Sequence, residues 1–85
     1  MSHSIIYDEK VLDFIANLQP DVRKRIIDKI SDAKENPHHF FEKLTGRSDF
    51  KLRVGDYRLI ADIDDSISQI AFTYIEHRKS VYKKI

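Results

Sequence analysis

Cysteine is absent from the 85 residues, which excludes a disulfide framework, a thiolate zinc site and a cysteine nucleophile, and suits a reducing compartment. Glycine and proline number two each, so flexible linkers are scarce and every breaker carries weight. No apolar run approaches the roughly 20 residues that a membrane helix needs. Met1-Ser2-His3-Ser4 lacks the basic-then-apolar order of an export signal, and a cytoplasmic protein is expected. No segment repeats or is low in complexity. No G-x-S-x-G, H-E-x-x-H or phosphate-loop pattern occurs, and Gly46 in Leu44-Thr45-Gly46-Arg47 reads as a turn. An excess of one charge is also missing. Fifteen Lys and Arg against fourteen Asp and Glu leave +1, which by itself predicts no attraction to nucleic acid.

What is present is 41% hydrophobic and 34% charged residues, the balance of one globular domain over residues 1–85. A chain this short buries roughly 60% of its unfolded surface, so its core is thin and a partner would add to its stability. Ser4-Ile5-Ile6-Tyr7 is a short β-prone run, and Asp8 after it suits the N-cap of a helix with Val11, Leu12, Ile15 and Leu18 on one face. Pro20, with Asp21 beside it, opens a second helix whose inner stripe is Val22, Ile26, Ile27, Ile30 and Ala33. That helix is expected to stop at Asn36-Pro37. The short break between the two predicts a helical hairpin with its apolar faces turned to the C-terminal half.

There the period changes to two. Phe50 to Val54 and Tyr57 to Ala61 flank Gly55-Asp56, and glycine at the first central position suits a type II′ hairpin turn. The register follows: Val54 faces Tyr57, Arg53 faces Arg58, Leu52 faces Leu59 and Lys51 faces Ile60. A turn around Asp64-Asp65-Ser66 leads into Gln69 to Ile75, where Ile70, Phe72 and Tyr74 alternate with Ala71, Thr73 and Ile75. The predicted order is β-α-α-β-β-β, an α+β fold with the helical hairpin on one face of a small, mostly antiparallel sheet and the other face free.

The register puts Arg53 across from Arg58, with Lys51 on the same side. Like charges opposed across strands are unfavourable by about 0.2–1 kcal/mol, so a sheet shaped for stability alone would place an acid here. One reading is an anion site in which two guanidinium forks and an ammonium converge on phosphate oxygens. The other is a solvated sheet face whose long side chains splay apart, neutralised by Asp62 or Asp49.

A second group, Glu76-His77-Arg78-Lys79-Ser80-Val81-Tyr82, follows the last strand. The cations beside His77 favour its neutral form, a proton acceptor near pH 7. Arg78 suits a phosphate and Tyr82 suits stacking on a base. Alternatively this stretch is a frayed end whose Val81 and Tyr82 patch the core edge. His38-His39 have no third ligand at helical spacing, so no metal site is expected. Phe40 and Phe41 are expected to plug the gap between helices and sheet. Arg23, Lys24, Arg25 and Lys29 give the second helix a positive flank, but Asp21, Asp28 and Asp32 interrupt it and argue against membrane binding.

Taken together, Leu44-Thr45-Gly46, the hairpin Leu52-Arg53-Val54-Gly55-Asp56-Tyr57-Arg58-Leu59-Ile60 and the ending His77-Arg78-Lys79-Ser80-Val81-Tyr82 resemble the RelE/ParE superfamily of toxins from type II toxin–antitoxin systems. The resemblance covers nearly the whole chain and implies a RelE/ParE-like, microbial-RNase-like fold. Members similar to RelE are ribosome-dependent endoribonucleases that cut mRNA in the ribosomal A site and inhibit translation. Members similar to ParE poison DNA gyrase. On the RelE side, the resemblance implies that Arg58 binds the scissile phosphate and that Lys51 serves as general base or proton relay. Arg78 would steady the phosphate or leaving group, Tyr82 would stack on or orient the nucleotide, and His77 would be the base in a variant style. Arg53, Arg47 and Lys79 would contact RNA. Neither a metal nor another cofactor is implied. The implied partners are a cognate RelB-like antitoxin, the ribosome and mRNA, without a membrane. The alternatives are DNA gyrase as the target, or a non-catalytic module that only binds its antitoxin.

Overall fold

The computed structural model describes residues 2–79. Its elements are β1 (Ser4–Tyr7), α1 (Glu9–Ala16), α2 (Pro20–Ala33), α3 (Pro37–Phe40), β2 (Glu42–Lys43), β3 (Phe50–Val54), β4 (Tyr57–Asp64) and β5 (Gln69–His77). Asp8 is extended and its carboxylate accepts from the Lys10 backbone N–H at 2.9 Å, satisfying one of the free donors at the start of α1. Pro20 occupies the first turn of α2, with Asp21 beside it at the positive helix end. Arg23 closes the connection by donating to the carbonyls of Ala16 and Leu18 at 3.1 and 3.2 Å. The Ala16 carbonyl is one that the end of α1 leaves without an intrahelical partner. α2 ends at Ala33, short of the expected stop at Asn36-Pro37, and after the turn at 34–36 Pro37, preset in φ, starts the single turn α3.

The five strands form one sheet in the order β1-β5-β4-β3-β2. β1 lies parallel to β5 and the remaining pairs are antiparallel, so the sheet is mixed. The β3–β4 register is the one the turn predicts, from Val54 opposite Tyr57 to Lys51 opposite Ile60. Gly55 has φ +58° while Asp56 does not enter positive φ, as a type II′ turn requires.

Val11, Ile15, Ile26, Ile30 and Ala33 from the helices pack on Leu52, Val54, Leu59, Ala61, Ile70, Phe72 and Ile75 from one sheet face. Phe41 joins them against Phe72 at 5.9 Å, filling the gap as expected, whereas Phe40 is half-buried beneath the Lys29 ammonium. Leu12 and Ile27 depart from the predicted inner stripes, at 51% and 41% exposure. Each lies next to the buried arc of its helix, marked by Val11 and Ile15 in α1 and by Ile26 and Ile30 in α2. A short helix on a small sheet buries only that narrow arc.

Alternation in β5 also departs from expectation. Ile60 pairs with Tyr74 and Ala61 with Phe72, leaving Thr73 as an extra, bulged residue. Its hydroxyl reaches the Ile60 carbonyl at 3.4 Å. The bulge reverses the facing of everything after it: Ile70 and Phe72 are buried, then Tyr74 turns outward and Ile75 inward. Among the described residues, no helix is long and apolar enough to cross a membrane.

Candidate functional site

On the sheet face opposite the helices, one row of paired residues runs across three strands: Arg53 on β3, Arg58 on β4 and Glu76 on β5. The first pair comes from the hairpin turn, and the third member comes from the bulge, which puts Glu76 on this side. Just past the end of β5 the chain passes the turn again, where the Arg78 backbone N–H donates to the Asp56 carbonyl at 2.7 Å. These residues, with Gly55 and Tyr57, line an open cleft of about 290 Å³ at the hairpin end of the sheet. Three guanidinium groups against the carboxylates of Asp56 and Glu76 leave it electropositive.

Arg58 forms an ion pair with Glu76. The other Glu76 oxygen accepts the Tyr74 hydroxyl at 3.0 Å, and that carboxylate raises the Tyr74 phenol above its usual value by holding its proton and by its charge. Glu76 is only 13% exposed. Arg53 is exposed and has no ion-pair partner among the described residues.

Other candidates lie elsewhere. Lys51 is one row away, its ammonium 3.4 Å from the Glu42 carboxylate on the edge strand, and it does not line the cleft. Arg47 sits in the β2–β3 connection and is held by Asp49 at 2.6 Å. The neutralised-face reading is thus met for Lys51 and Arg58 but not for Arg53, and the acids concerned are Glu42 and Glu76. Asp49 serves Arg47, while Asp62 is exposed and pairs with none of these cations. His77 faces the other way, its ring edge-on to Tyr57 at 4.7 Å. Its Nδ1 accepts the Lys79 backbone N–H at 3.0 Å. Tyr82 lies outside the described residues.

Two residues carry no assigned role in the sequence. Glu76 belongs to the second group, but the bulge hides its place beside Arg58. Arg25 of α2 brings a guanidinium nitrogen to 3.8 Å from where a Cβ on Gly55 would stand, so a helix residue reaches the turn beside the cleft. The helix-flank pattern that drew attention to Arg25 carried no sign of this neighbour.

Residues 8–82 match the family model described as the ParE toxin of the parDE type II toxin–antitoxin system. The Methanocaldococcus jannaschii protein that carries the name RelE4 is 26% identical over 78 residues, covering 89% of this chain and 83% of its own length. Among solved structures, the RelBE2 toxin–antitoxin complex of Mycobacterium tuberculosis superposes with a TM-score of 0.81 at 20% identity, covering 92% of this chain and 100% of that one. The archaeal RelE–RelB complex of Pyrococcus horikoshii gives 0.78 at 20% identity, with 92% and 97% covered. Isolated Escherichia coli RelE gives 0.77 at 22% identity, with 98% and 94% covered. These likenesses establish the shared fold.

Proposed function

The chain belongs to the ParE toxin family, within the RelE/ParE superfamily, and is the toxin of a type II toxin–antitoxin pair; from that premise we propose that it is a ribosome-dependent endoribonuclease that cuts mRNA in the A site and stops translation. The observation that carries this reading is the convergence of Arg53, Arg58 and Arg78 on one open cleft. Guanidinium forks match phosphate oxygens in a bidentate fashion that an ammonium does not. As a 2′-hydroxyl attacks the neighbouring phosphate, negative charge builds on its oxygens. Donors already fixed around that position stabilise the transition state more than the ground state.

In this reading Arg58 grips the scissile phosphate and Arg78 the leaving-group side. Arg53 contacts the adjoining backbone, Lys51 supports from the next row, and Tyr82 orients the nucleotide. The reading calls on these cations and a 2′-hydroxyl nucleophile rather than on a metal. Solved complexes of RelE with RelB support a RelB-like antitoxin as the partner, and an mRNA substrate fits a cytoplasmic toxin. With a net charge of only +1, affinity for mRNA depends on this local face.

Toeprinting of translating ribosomes with purified protein tests the reading. New mRNA ends are expected with the wild type, and Arg58→Ala should reduce them by about 10²–10³-fold, the usual cost of removing one such donor. Intact mRNA at stoichiometric toxin would sink it. A second reading, a gyrase inhibitor, is favoured by the ParE description of the matching family. Inhibition of supercoiling without RNA cleavage decides for that alternative.

A further inference from the structure

The endoribonuclease reading lacks one component, a group to take the proton from the 2′-hydroxyl, and resting on that reading we propose that the Glu76 carboxylate is this general base. A base must lie within hydrogen-bond reach of the attacking oxygen, hence beside whatever holds the phosphate. Arginines do not deprotonate in proteins. Among the cleft-lining residues only Asp56 and Glu76 are ready proton acceptors at neutral pH. Asp56 is an exposed turn residue engaged through its backbone carbonyl.

Glu76 is held at both oxygens, by the Arg58 guanidinium and by the Tyr74 hydroxyl. Each oxygen keeps a second lone pair for an incoming proton. The same guanidinium that offers its remaining N–H groups to a phosphate therefore fixes a carboxylate at its side. Lys51 and His77, the bases that the family resemblance implies, face Glu42 and Tyr57 instead.

The 2′-hydroxyl proton passes to a Glu76 oxygen as the 2′-oxygen bonds to phosphorus and the bond from phosphorus to the 5′-oxygen breaks. Water in the open cleft protonates the departing 5′-oxygen, and the hydroxide formed takes the proton back from Glu76. The products are a 2′,3′-cyclic phosphate and a 5′-hydroxyl. Tyr74 acts as a positioning residue that aims the carboxylate.

The test compares the wild type with Glu76→Gln and Glu76→Asp on translating ribosomes. It also measures binding of a 2′-O-methyl RNA oligomer, which cannot be cut, after thermal melts confirm that the variants fold. Glu76→Gln should cut about 10²–10⁴-fold more slowly while keeping its affinity for the oligomer. The acidic limb of the wild-type pH–rate profile should vanish in the Gln variant and persist in Glu76→Asp, since the other charged neighbours of Glu76, namely Arg53, Arg58, Arg78 and Asp56, are unchanged. Glu76→Gln cutting at the wild-type rate, or losing affinity in parallel with rate and keeping the acidic limb, overturns the assignment while leaving the nuclease reading intact. A wild type that binds the oligomer and cuts no mRNA overturns both.

Discussion

Arg53 and Arg58 oppose each other across an antiparallel pair, an arrangement that costs stability of about 0.2–1 kcal/mol. Glu76 relieves Arg58 but leaves Arg53 unpaired among the described residues. Arg53→Thr should therefore raise the unfolding free energy by up to about 1 kcal/mol, read from urea denaturation, while weakening binding of the 2′-O-methyl oligomer. A variant that is no more stable would mean that the repulsion is fully screened by solvent. Arg58→Lys keeps the charge and loses the planar fork. Its cleavage rate on ribosomes should fall toward that of Arg58→Ala, and a rate near wild type would show that charge alone is sufficient.

At the scale of elements, the β3–β4 hairpin and the β5 bulge build the cleft between them. The hairpin was legible because Gly55-Asp56 leaves few choices: a two-residue turn with positive φ at its first position fixes every pairing behind it. Gly55→Ala should cost about 1–2 kcal/mol, the penalty of a left-handed backbone with a Cβ, since a Cβ would meet nothing closer than 3.8 Å and space is not the obstacle. The urea midpoint reads this directly.

The bulge was not legible, because Gln69 to Ile75 is β-prone throughout and strict alternation fits it until the face switches at Thr73. One extra residue there exchanges the two sides of the strand end. Continued alternation would have sent His77 to the open face and Glu76 inward with Ile70 and Phe72. The observed bulge does the reverse and thereby gives Arg58 its carboxylate. Leu12 and Ile27 went astray for a related reason: apolar spacing marks the buried side of a helix but not how wide an arc the sheet covers.

Across the whole molecule, the end of the sheet away from the cleft is fastened by Asp65, which pairs with His3 at 2.9 Å and with His38 at 2.8 Å. Hydrogen bonds from His3 and then His38 hold the Asp65 carboxyl below its usual value. A carboxylate lowered in this way contributes stability above the usual aspartate range and loses it as the pH falls through the lowered value. The wild type should lose more of its urea resistance on acidification through that range than Asp65→Asn, and equal losses would show that the clasp contributes nothing. A thin core also predicts a rise in melting temperature with antitoxin concentration, since a partner that binds only the folded chain adds about 2.7 kcal/mol at a hundredfold excess over Kd.

The central claim, that three arginines meet at one cleft to hold a phosphodiester for cleavage, is tested most directly by mapping mRNA ends on translating ribosomes for the wild type beside Arg53→Ala, Arg58→Ala and Arg78→Ala. The expected result is fresh ends with the wild type and a marked loss in all three variants, each still folded by its cooperative thermal melt. Variants that cut as well as the wild type, or a wild type that leaves the message whole, would contradict the account.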